Sequence, residues 1–182
     1  MSSKLDFVRD YTFNNRELLD KTIEFLEDDS RLRGYFAPRR AGKSYLLSQD
    51  LSYNIANNVG TYIVIAPNYL SLRIIEEYVK SHFEQFDLII QQRNTPEGII
   101  LTFPNGSVVT FMSGLNDISH RLIGRRCDCL YIDELHYIKD YQEIIDTYSL
   151  ISDITIFSSP TEGSVLEYLI RKDFSITSYD MI

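Results

Sequence analysis

At 182 residues the chain has the length of one domain, long enough to bury most of its apolar surface without disulfide or metal staples. Hydrophobic residues at 44% and charged residues at 24% exclude a disordered or fibrous chain. Eighteen basic against 26 acidic side chains leave a net charge of −8, which argues against a passive nucleic-acid coat, because such affinity comes from neutralised phosphates.

Residues 1–30 read as an N-terminal helical segment, 31–172 as the core and 173–182 as a terminal strand or tail. Apolar residues at Leu18, Leu19, Ile23, Phe25 and Leu26 predict an amphipathic helix over 14–26, with Asn14 or Asn15 as its cap. A short strand over 32–37 feeds the loop Pro38-Arg39-Arg40-Ala41-Gly42, and the pattern from Tyr45 to Asn57 is helical. Thr61 to Ala66 is β-branched and apolar throughout, as expected of a buried parallel strand, and Pro67-Asn68 opens a helix that runs to about His82. Strands are expected at 88–92, 98–103 and 107–112, the last two joined by the turn Pro104-Asn105-Gly106-Ser107, which should project from the domain. Then follow a strand at 129–132, a helix at 141–149, a strand at 154–157 and a helix at 164–171. Strands alternating with helices predict an α/β three-layer sandwich on a mainly parallel sheet, with one inserted antiparallel hairpin.

The strongest chemical signal is Ala37-Pro38-Arg39-Arg40-Ala41-Gly42-Lys43-Ser44, between a predicted strand and a predicted helix. It fits the phosphate-binding P-loop pattern, with Ala37 where the first glycine usually stands. In such a loop, backbone N–H groups and the helix N-terminus solvate phosphate oxygens. Gly42 permits close approach, Lys43 reaches the β- and γ-phosphates, and Ser44 ligates Mg²⁺. Pro38, Arg39, Arg40, Ala41 and Tyr45 complete the nucleotide-binding set. The bland alternative is a chance Gly-Lys-Ser in a βα turn. The second signal is Leu130-Tyr131-Ile132-Asp133-Glu134, a buried strand ending in two carboxylates. Ligands sit at the carboxyl ends of parallel strands, so this end can face the loop. Asp133 would then hold the Mg²⁺ shell and Glu134 would orient and deprotonate the attacking water. Two acids capping the next helix would explain Asp-Glu on its own. The P-loop strand is expected at the centre of the sheet with the Asp133 strand close beside it.

These residues resemble the ATPase domain of the large terminase subunit, the DNA-packaging motor of tailed phages and related viruses, a RecA-like P-loop NTPase. The paired arginines of the loop look like the deviant terminase P-loop. Ile65-Ala66-Pro67-Asn68 and its helix are similar to the segment after the second strand in terminases and superfamily 2 helicases. Arg121-Leu122-Ile123-Gly124-Arg125-Arg126 before Tyr131-Ile132-Asp133-Glu134 resembles the family's Arg-Gly run ahead of Walker B, and Ser158-Ser159-Pro160-Thr161 sits where its coupling motif lies. The resemblance implies Mg²⁺-dependent ATP hydrolysis, double-stranded DNA as cargo, and a homo-oligomeric ring on a portal. It implies the host cytoplasm, at a viral procapsid, as location. It also implies coupling through Ser158, Ser159 and Thr161, and a cis arginine, Arg39 or Arg40, on the γ-phosphate.

No glutamine precedes Gln49 to read adenine, so Tyr11, Phe13, Asn14 and Asn15 are the candidates for the base. The family's nuclease domain has no counterpart in this sequence, and no nuclease activity is expected. Arg121, Arg125 and Arg126 are candidates for a finger reaching a neighbouring subunit, for DNA phosphate contact, or for pairing on their own surface. Cys127 and Cys129 read as buried thiols, no apolar run approaches the ~20 residues of a membrane span, and the N-terminus lacks a signal-peptide core. His136 reads as a helix-start residue. The rival readings are one lobe of a superfamily 2 helicase-like enzyme and a nucleotide-binding assembly or regulatory module with little turnover.

Overall fold

The computed structural model describes residues 16–84, 86, 88–115, 118–159 and 164–179. Eight strands form one sheet: β1 (Leu32–Phe36), β2 (Thr61–Ala66), β3 (Gln91–Thr95), β4 (Gly98–Thr102), β5 (Val108–Ser113), β6 (Cys129–Asp133), β7 (Asp153–Ser158) and β8 (Ser175–Ser178). Their order across the sheet is β3-β4-β5-β2-β6-β7-β1-β8. Pairing is parallel across the sheet from β5 to β8, whereas β4 pairs antiparallel with both β3 and β5.

Helices α1 (Arg16–Glu27), α2 (Lys43–Asn57) and α3 (Tyr69–Glu84) cover one face. There Leu47, Leu51, Leu72 and Ile75 pack on Tyr62, Val64, Phe111 and Tyr131. Helices α4 (Ile118–Leu122), α5 (Tyr141–Tyr148) and α6 (Ser164–Arg171) cover the other, where Ile145, Tyr148 and Leu169 meet Ile63, Ile65, Ile132 and Ile156. Alternate residues of β2 thus enter opposite cores, which is why the strand reads as a continuous apolar run. The three-layer α/β sandwich is as expected.

Three expectations need correction. First, β1 is not central: it lies one strand from the β8 edge, and β7 separates it from β6. Functional convergence survives because β7 pairs with both neighbours in matched register, Phe36 opposite Ser158 and Asp133 opposite Phe157. Second, the insertion is a three-stranded meander. The strand expected at 88–92 lies at Gln91–Thr95 and turns through Pro96 and Glu97, pairing Thr95 with Gly98. Gly98 is required there, since a Cβ would come within 1.8 Å of the Phe111 carbonyl oxygen. Third, the Pro104–Ser107 turn does not stand free. Asn105 Nδ2 donates to the Ile55 carbonyl at 2.7 Å and Ser107 Oγ to the Asn58 carbonyl at 3.2 Å, tying the exposed turn back to the end of α2.

A buried polar cluster joins α2 to the sheet. Arg33 Nη2 donates to Asp50 Oδ2 at 2.6 Å, and the Tyr131 hydroxyl donates to the same oxygen at 2.9 Å. Arg33 also lies 4.8 Å from the Phe25 ring centroid, so the guanidinium is compensated on two sides.

Candidate active site

The loop after β1 starts with the Ala37 N–H bonded to the Ser158 carbonyl at 3.2 Å, and the Ala41 N–H closes a turn on the Pro38 carbonyl at 3.2 Å. Two residues take left-handed backbone, Arg40 at φ 65° and Gly42 at φ 77°. Ala37 is not among the left-handed residues, so a methyl group in place of the usual glycine carries no backbone strain there. Gly42 is the N-cap of α2 and supplies no side-chain cap, leaving the first-turn N–H groups for an anion.

Lys43, 5% exposed, is held at three oxygens. Its Nζ donates to the Pro38 carbonyl and to Ser159 Oγ, each at 3.1 Å, and pairs with Glu134 Oε1 at 3.2 Å. Ser44 Oγ donates to Asp133 Oδ2 at 3.2 Å. Asp133 is 2% exposed, and its Oδ1 is buried without a hydrogen-bond partner. Burial, followed by the neighbouring Glu134 charge, pushes the Asp133 carboxyl up to about 7, against the pull of Ser44 and Lys43.

Glu134 takes left-handed backbone at φ 49° and opens a 3-10 turn over Leu135–Tyr137. Its N–H bonds the Phe157 carbonyl. Its carboxylate accepts from the Ser159 N–H at 2.8 Å and from Ser159 Oγ at 3.1 Å. His136 Nδ1 lies 3.1 Å from Ser158 Oγ and 3.6 Å from Glu134 Oε2. Burial is the main force pushing the imidazole down, against the Glu134 charge. The strained backbone of Arg40 and Glu134, of order 1–3 kcal/mol each, thus concentrates at one site.

All the central candidates therefore meet. Ser159, just after β7, bonds both Lys43 and Glu134, and Ser158 bonds Ala37 and His136, while Thr161 lies outside the described residues, as do Tyr11, Phe13, Asn14 and Asn15. Arg39, Arg40, Tyr45, Lys43, Ser44 and Glu134 share a cavity of about 470 Å³, whose far wall is Ile74 and Tyr78 of α3. Tyr45 packs edge-on against Tyr78, with centroids 5.2 Å apart. Ile74 escaped sequence reasoning, although its four-residue spacing from Tyr78 on α3 was a usable signal. Arg39 Nη2 donates to the Tyr137 hydroxyl at 2.9 Å, a contact no motif signals. Two of the three arginines in the second cluster are engaged with their own chain. Arg121 donates to the Ser113 carbonyl, Arg125 pairs with Glu97, and the exposed Arg126 has no partner among the described residues. Cys127 and Cys129 are buried, with burial pushing their thiols up to about 11 and about 12, respectively. Such thiols are unreactive. Among the described residues no helix is long and apolar enough to cross a membrane.

The family described as terminase large subunit, T4likevirus-type, N-terminal, matches residues 35–164. The chain belongs to this terminase family. That match begins on β1 and ends at the start of α6, so it contains the whole P-loop, the Asp133-Glu134 pair and Ser158–Ser159. No curated protein sequence matches the chain. Among solved structures, a mutant ATPase domain of the Thermus phage P74-26 large terminase shares 16% identity. It covers 96% of this chain and 84% of its own, with a TM-score of 0.68. The HK97 bacteriophage large terminase shares 14% identity over 98% of this chain and 43% of its own, with a TM-score of 0.69. The large terminase of the thermophilic bacteriophage D6E, solved in complex with ATP-gamma-S, shares 11% identity over 90% of this chain at a TM-score of 0.63. This terminase chain spans 44% of that D6E protein.

Proposed function

We propose that this terminase chain is a motor domain that hydrolyses ATP with Mg²⁺ and moves double-stranded DNA as one subunit of a homo-oligomeric ring. The ring would sit on the portal of a viral procapsid in the host cytoplasm. The observation carrying this reading is the convergence of Lys43, Ser44, Asp133 and Glu134 at the carboxyl ends of β1 and β6. Lys43 offers its ammonium to the β- and γ-phosphates, and the first turn of α2 offers N–H groups to the same chain of anions. Glu134 accepts a proton from the attacking water, oriented by the two donors of Ser159. The D6E relative, solved with ADP and with ATP-gamma-S, supports a nucleotide as the ligand.

Asp133 and Ser44 fit a hard divalent cation. The buried Asp133 Oδ1 lacks a hydrogen-bond partner, and a cation would relieve the repulsion between adjacent carboxylates. Asp133 and Ser44 would hold Mg²⁺, whose charge would offset that of the phosphates.

Steady-state ATPase measurements with and without duplex DNA, across a dilution series, test the proposal. A net charge of −8 predicts weak, salt-sensitive DNA binding. Trans arginine fingers raise phosphoryl transfer by about 10³–10⁵, so turnover per subunit should rise with concentration or on adding a portal. Arg126 is the candidate left free for that role, with Arg121 and Arg125 held at home. Nucleotide binding without turnover under any of these conditions would favour an assembly or regulatory module. Turnover that is fast and flat on dilution would refute dependence on neighbours.

A further inference from the structure

The terminase resemblance implies a cis arginine on the γ-phosphate, Arg39 or Arg40, and does not say what would hold the exposed Arg39 side chain. The tip of a P-loop has little to pack against, and a free arginine carries roughly 2 kcal/mol of rotamer entropy. Here one guanidinium nitrogen is engaged: Nη2 donates to the Tyr137 hydroxyl at 2.9 Å, from the loop after β1 to the 3-10 turn after β6. Tyr137 is itself fixed. Its ring lies 3.9 Å, centroid to centroid, from that of His136. His136 in turn bonds Ser158 Oγ, in the segment whose next residue holds Glu134. The bond leaves the remaining N–H donors of the planar fork for an anion, and Arg39 lines the same cavity as Lys43 and Glu134.

We propose that Tyr137 is a positioning residue, whose hydroxyl docks Arg39 on the glutamate-bearing turn so that the arginine enters the transition state already oriented. The inference rests on the proposed ATPase reading and deepens it. An interaction prepaid in the resting protein lowers the barrier more than it tightens the ground state, so its loss should fall on kcat rather than KM.

Tyr137→Phe tests this, because it removes the hydroxyl while keeping the ring against His136. Tyr137 is 51% exposed, so the change leaves the core alone. We expect kcat for ATP to fall about 10- to 150-fold with KM within twofold, the scale of one bond to a charged group. Arg39→Ala should lower kcat at least as much, and the double variant should be no slower than Arg39→Ala alone. A second readout is independent of turnover. Preference for Mg·ADP with aluminium fluoride over Mg·ADP alone should shrink by a similar factor in Tyr137→Phe, with Mg·ADP affinity unchanged. A parent-like kcat and analogue preference in Tyr137→Phe, or losses that multiply in the double variant, would overturn the positioning role. Failure of the parent chain to bind Mg·ADP would instead overturn the ATPase reading itself.

Discussion

Asp133→Asn should make the nucleotide-free protein more stable, and more so the higher the pH. The folded carboxyl titrates at about 7 against an ordinary value of 3.8, because it is 2% exposed and next to Glu134. Between those two values the folded chain holds a proton that the unfolded chain has released. Stability from this group is therefore complete below about pH 4 and falls as pH rises to about 7, where the folded carboxyl ionises. The full displacement corresponds to about 4 kcal/mol, and a little over half of it separates pH 5 from pH 8. Asparagine keeps an oxygen for Ser44 Oγ and carries no charge. At about 2–4 °C per kcal/mol for a chain of this size, the Tm advantage of the variant should widen by several degrees between pH 5 and pH 8. Mg²⁺ should narrow that gap at pH 8 by stabilising only the parent. Thermal melts at the two pH values, with and without Mg²⁺, read this directly. Equal pH dependence in parent and variant would refute the assignment of an ionised, uncompensated carboxyl to this position.

Glu134→Gln keeps one oxygen to accept from the Ser159 N–H and should bind nucleotide as well as the parent, while single-turnover hydrolysis slows by about 10²–10⁴, the worth of a general base. Lys43→Ala should lose nucleotide affinity in fluorescence titrations, because among the described residues no other Lys or Arg lies within 4 Å of Glu134. Asp50→Ala should cost about 3–5 kcal/mol in denaturant melts, since it strands the buried Arg33 guanidinium and removes the acceptor of the Tyr131 hydroxyl.

What was legible in the sequence was whatever is contiguous. The strand Thr61–Ala66 is read to the residue, because both faces are buried and every position is apolar or β-branched. Gly42-Lys43-Ser44 and Asp133-Glu134 carry their own chemistry, and the structure brings them together. Edge strand β3 misled in the opposite sense. The apolar run Leu88-Ile89-Ile90 precedes the strand, with Leu88 and Ile89 exposed, while the paired residues Gln91–Thr95 are polar, as a protected edge requires. The position of β1 was misjudged because strand order depends on crossovers that periodicity does not record. The Ser159–Glu134 and Tyr137–Arg39 bonds were invisible for the same reason: each depends on the register of β7 between two strands distant in sequence.

The strand that carries the P-loop is made well before either strand it pairs with. Both neighbours of Leu32–Phe36 come from the final third of the chain, β7 at Asp153–Ser158 and β8 at Ser175–Ser178. During synthesis β2, β5 and the meander can pair as they emerge, whereas β1 must wait for residues more than a hundred positions downstream. Such long-range closure slows folding and leaves an unpaired apolar strand exposed in the interim. A nascent chain of this protein should therefore be unable to grip a nucleotide until β7 and β8 have left the ribosome. Emergence of those two strands, rather than appearance of the motif, then marks the birth of the site.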